Sequence, residues 1–129
     1  MSDRRLADLH RVAGALLDAE LARLRAQGAR AEALRGEITA LDGAVARQHA
    51  VIADAFDAPL AGPVLDRWGS WADRRRAVLN TALARELAAL EIRRRAAAEA
   101  FGRAEALRLI LRKAEAGARR KTRRMGRGA

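Results

Sequence analysis

The sequence predicts an all-α protein: a long antiparallel two-helix coiled-coil hairpin with a short Pro/Gly turn and a basic C-terminal tail. Three observations predict it. Ala, Leu and Arg make up 74 of the 129 residues, and only Trp68, Trp71, Phe56 and Phe101 are aromatic. That composition suits long helices and starves a β-sheet of the branched and aromatic side chains it packs with. Both prolines, Pro59 and Pro63, fall within five residues near the midpoint, with Gly62 between them. Apolar residues recur at heptad spacing on the first arm and as a looser stripe on the second.

The first helix is expected over residues 3–57. Leu17, Leu24, Ala31, Ile38, Val45 and Ile52 recur every seventh residue. Ala31, Leu34, Ile38, Leu41, Val45, Gln48, Ile52 and Ala55 alternate steps of three and four, the seam of a coiled coil. Nearer the start, Leu6, Leu9, Ala13, Leu17 and Leu21 step differently and read as a stutter. The turn is expected over 58–62, because Pro and Gly together break helices.

The second helix is expected over 63–118, with Pro63 at its first position, where a missing N–H costs nothing. Ser70 and Asp73 offer a capping box as an alternative start. Leu79, Leu83, Leu87, Leu90, Ala97, Phe101, Ala104, Leu107 and Leu111 form its stripe, with Arg94 standing where an apolar residue is expected. Pairing about the turn puts Ile52 near Trp68, Ile38 near Ala82 and Leu24 near Phe101. The interior glycines, Gly36 and Gly102 among them, each cost a helix up to about 1 kcal/mol. Residues 119–129 have no apolar period and are expected to form a flexible basic tail.

Charge and chemistry narrow the function. The chain carries 26 basic and 16 acidic residues, a net charge of +10, and 24 of the cations are Arg. From Arg112 onward there are eight basic residues and one acid. The tail cations Arg119, Arg120, Lys121, Arg123 and Arg124 are candidates for binding an anionic partner. The triplet Arg93, Arg94 and Arg95 reads as a solvated helix face. No aromatic residue lies among the tail cations, so base stacking is unsupported. There is no cysteine, hence no disulfide and no thiol chemistry. His10 and His49 are too far apart on one arm to act together. The chain has no phosphate loop, no zinc-protease pattern and no nucleophile elbow. No catalytic residue, metal or cofactor is therefore expected, and the chain is not expected to be an enzyme. No run is long and apolar enough to span a bilayer, and residues 1–10 lack the apolar core of a secretory signal.

Trp68 and Trp71, three residues apart beside the turn with Leu60 and Val64, read either as a plug closing the hairpin or as anchors for a partner.

Stretches such as LLDAELARLRAQGARAEALRGEITALD (Leu16 to Asp42) and LARELAALEIRRRAAAEAFGRAEAL (Leu83 to Leu107) have the texture of the FliJ family of flagellar type III export and its injectisome counterparts. The chain resembles that family over almost its whole length, in size, charged arms, central break and basic ends. The resemblance implies a stalk that docks on a hexameric export ATPase, the export gate or substrate chaperones. It places the ATPase-facing part at the paired helix ends, near Leu6, Leu9, Leu107 and Leu111. The expected function is thus a coiled-coil adaptor of an export apparatus, cytoplasmic or peripheral at the inner membrane. The alternative is a basic helical protein that binds nucleic acid or the ribosome through the tail cations.

Overall fold

In the computed structural model, which describes residues 2–128, the chain is a helical hairpin. Helix α1 runs Asp3–Ala55 and helix α2 runs Ala58–Arg127. Ser2 caps α1: its hydroxyl accepts the Arg5 amide at 3.3 Å and its carbonyl accepts the Leu6 amide at 3.1 Å. Asp3 adds an acid where the helix dipole is positive.

The connection between the helices is shorter than expected. Only Phe56 and Asp57 separate them, so α1 stops before residue 57 and the segment 58–62 is helical rather than a turn. The Asp57 carbonyl accepts the Leu60 and Ala61 amides at 2.9 and 2.8 Å, which makes Asp57 the residue that opens α2. Pro59 falls in the first turn of α2, where amides have no helical acceptor anyway. Pro63 lies inside the helix. It withholds a donor only from the Pro59 carbonyl, one turn back on an exposed rim. Ser70 and Asp73 do not start a helix, since α2 passes through them unbroken.

At the other end, α2 continues to Arg127, so 119–127 is helical where a flexible tail was expected. Arg, Lys and Ala are good helix formers even without a core to pack on. Arg124 and Arg127 in the last turn complement the negative end of the dipole.

The chain divides into two compact units. One comprises 26–90. Its core is Leu41, Ala72 and Leu79, with Leu34, Ile38 and Val45 packed against it. Ile52 and Ala61 are buried nearer the turn. The two arms here are also tied by side chains. Arg75 pairs with Glu37 at 3.7 Å, Arg30 with Glu86 at 3.5 Å, and Arg76 Nε donates to Asp42 at 3.0 Å.

Gln27 is buried in the seam four residues before Ala31, with 4 % of its surface exposed. Its amide nitrogen donates to the Glu86 carbonyl at 3.4 Å and to the Glu86 carboxylate, and its oxygen accepts from Arg30 at 2.7 Å. The bond between Gln27 and Glu86 fixes the register. Folding about residue 60 would have set Gln27 opposite residue 93. Moving the turn back by three to four residues shifts the pairing by twice that, about one heptad, and the expected partners change accordingly.

The second unit comprises 2–25 and 91–128. Its buried residues are Leu6, Ala13, Ala97, Ala100 and Ala104. The alanines let the helices approach closely but bury little area. Phe101, expected near Leu24, is exposed instead. Arg94 does not enter the seam either: it is exposed and lies 3.8 Å from Glu91. The apolar stripe of α2 passes through Ala97, Ala100 and Ala104, and Arg94 lies off it.

Candidate functional site

Several shallow grooves are each lined by a single helix, such as that of Arg5, Asp8, Leu9 and Val12. No group of three or more potential metal ligands occurs among the described residues. No helix is long and apolar enough to cross a membrane.

The cations are partitioned unevenly. Residues 26–90 carry eight basic and eight acidic side chains and are neutral; the remaining 18 basic and eight acidic residues hold the whole net charge of +10. Most of that excess lies at the end of α2. His10 of α1 is close enough to Glu105 of α2 to act on its titration. From there α1 runs back only to Asp3, which is level with about Arg112. Among the described residues, none of α1 lies level with 113–127 of α2, a stretch of roughly 22 Å at ~1.5 Å per residue. From Gly117 to Gly128 every residue is exposed. Arg119, Arg120, Lys121, Arg123 and Arg124 are all on this extension, and none forms an ion pair among the described residues. At 100° per residue, Arg112, Lys113, Arg119, Arg120, Arg123, Arg124 and Arg127 fall on about 140° of arc, so one face of the helix is cationic. Thr122 turns its hydroxyl back on the Ala118 carbonyl at 3.0 Å.

At the root of the extension, Arg108 Nε donates to Glu105 at 2.9 Å. This hydrogen bond holds the Glu105 carboxyl below the usual carboxylate range. Desolvation opposes the shift, and the positive charges of Arg108, His10 and Arg112 reinforce it. Arg108 is held above its ordinary value by the same bond.

The expected helix-end contacts separate in the structure. Leu6 is buried in the core, Leu107 and Leu111 are half-buried, and Leu9 faces out. Sequence reasoning missed Val12 and Leu16, which are exposed beside Leu9 along α1. Their spacing of 9, 12 and 16 is itself a helical stripe, next to the seam rather than in it.

Near the turn, Trp68 and Trp71 stack with centroids 4.8 Å apart and planes 12° from parallel. Trp68 is half-buried, and its Nε1 is covered without an acceptor among the described residues. Trp71 lies over it and is 46 % exposed. Val64 and Leu60, one and two turns nearer the start of α2 than Trp68, are exposed as well. The tryptophans thus lie on the flank of the hairpin, and the turn-proximal core is closed by Ile52 and Ala61.

Compared with models of known protein families, with curated proteins and with solved structures, the chain matches none.

Proposed function

We propose that this chain is a non-enzymatic coiled-coil adaptor that docks other proteins. More specifically, we propose a stalk of a flagellar or related type III export apparatus, engaging the export ATPase, the export gate or substrate chaperones. The observation that carries this reading is the cationic extension of α2 beyond the start of α1. It is an exposed helical element whose cations on one face form no ion pair among the described residues, suited to an acidic cleft in a partner, and the stripe of Leu9, Val12 and Leu16 supplies apolar contact nearby. The resemblance in length and texture to the FliJ family favours the export apparatus as the setting, with the protein in the cytoplasm or peripheral at the inner membrane.

A second reading is favoured by the same extension. Arg predominates among its cations, and guanidinium groups bind phosphate in a bidentate manner. The alternative is therefore a nucleic-acid- or ribosome-associated protein.

One experiment separates the two. Tagged full-length protein is recovered with its partners from nuclease-treated native lysate, beside a variant with Arg119, Arg120, Arg123 and Arg124 changed to Glu. Nuclease-resistant recovery of a hexameric ATPase or export-gate component supports the adaptor reading. Recovery of ribosomes or nucleic acid that is lost with nuclease and with the variant refutes it in favour of the alternative.

A further inference from the structure

The exposed apolar face beside the turn is separate from the helix-end surfaces on which the proposed function rests. On α2, Leu60, Val64, Trp68, Trp71 and Val78 follow one another at steps of 4, 4, 3 and 7 and so lie on one side of the helix. That side lies next to the seam, since the buried residues of this segment are Ala61, Ala72 and Leu79. Arg75, one turn after Trp71, reaches Glu37 of α1. Glu37 and Val51 are two heptads apart, so Val51 shares the side of α1 that meets the tryptophan side of α2. Leu60, Val78 and Val51 are 62 %, 59 % and 58 % exposed, which is costly for aliphatic side chains with no partner.

We propose that this face is the contact between two copies of the chain. The charge partition selects a second copy as the occupant. Residues 26–90 are neutral, with eight charges of each sign, so two copies meet here without the self-repulsion that a net charge of +10 imposes elsewhere. The face is also self-complementary. An isologous two-fold contact sets the Leu60 end of one copy against the Val78 end of the other. The midpoint of that stripe is Gly69, which lies between Trp68 and Trp71. The stacked pairs of the two copies therefore meet at the centre of the interface, where aromatic anchors contribute most. The stripe from Leu60 to Val78 is about 27 Å long. Across two helices about 9 Å apart it offers on the order of 500 Å² per copy, below the roughly 800 Å² of a standard interface. The dimer is accordingly weak and concentration-dependent.

The test is sedimentation velocity of the nuclease-treated full chain across a concentration series from about 1 to about 200 μM, beside intrinsic fluorescence. Trp68 and Trp71 are the only tryptophans, so emission reports on this face alone. The expected result is a shift from the 14.0 kDa monomer toward twice that mass. A blue shift of emission over the same range and persistence of the dimer in 0.5 M salt are expected with it. Trp71→Glu and, independently, Val78→Glu remove the dimer while leaving the helical circular dichroism unchanged; two variants guard against one that fails to fold. A monomer at every concentration overturns the proposal. So does association that survives both substitutions or that dissolves in salt, because either places the contact elsewhere. None of these outcomes depends on the export reading.

Discussion

Leu79 offers a direct test of where the stability of the hairpin resides. It is 4 % exposed and packs with Leu41 and Ala72, the only buried residues of their cluster. Leu79→Ala removes three carbons from that contact, worth about 2.4 kcal/mol at ~0.8 kcal/mol per methylene. The vacated space adds a cavity term, which stays small because a layer only two helices thick relaxes easily. The expected loss is about 3 kcal/mol, a large fraction of the stability of a domain this size. The assay is urea unfolding followed by circular dichroism at low micromolar concentration. Ile92→Ala is the control: it deletes a comparable aliphatic side chain at a position 66 % exposed, and the expected change is below about 0.5 kcal/mol. Equal losses at the two sites, or less than about 1 kcal/mol at Leu79, would refute the assignment of the core.

Gln27→Ala removes a buried polar side chain from the seam together with its hydrogen bonds to Glu86 and Arg30, which keep their ion pair with each other, for an expected loss of about 1–2 kcal/mol in the same unfolding assay. Gly36→Ala and Gly102→Ala each place a methyl group in open space within a helix, so each should raise stability by about 0.5–1 kcal/mol, read as an increase in melting temperature. Glu105 is held below its ordinary pKa in the folded chain, so its contribution is present at neutral pH and is lost as pH falls through the folded value. The melting temperature of wild type should therefore exceed that of Glu105→Gln at pH 7, and the gap should close as the carboxylate is protonated at acid pH; a constant gap contradicts the coupling to Arg108. For the extension of α2, raising salt should weaken recovery of any anionic partner steeply in wild type and much less in the variant with Arg119, Arg120, Arg123 and Arg124 changed to Glu.

The sequence by itself determined that this chain is two long helices. Ala, Leu and Arg favour helix at almost every position, the prolines mark one break, and the heptad from Leu17 to Ile52 names the buried side of α1. These are local or periodic properties, and the chain carries them whether or not it is folded. Register is different. It depends on which residues close the turn, and the prolines misplace that turn because a proline in the first turn of a helix costs almost nothing. The Gln27 bond to Glu86 follows from the true turn at Phe56 and Asp57, whereas Phe101 is exposed because the buried stripe of its segment runs through Ala97, Ala100 and Ala104. The division of the candidate surfaces is likewise a tertiary matter. Leu6 and Leu9 look alike in sequence, but the packing of α1 on α2 buries one and exposes the other. The tail shows its charge in sequence. That its cations stand on one face of an exposed helix is a matter of structure, since residues 119–127 continue α2 and pack on nothing among the described residues.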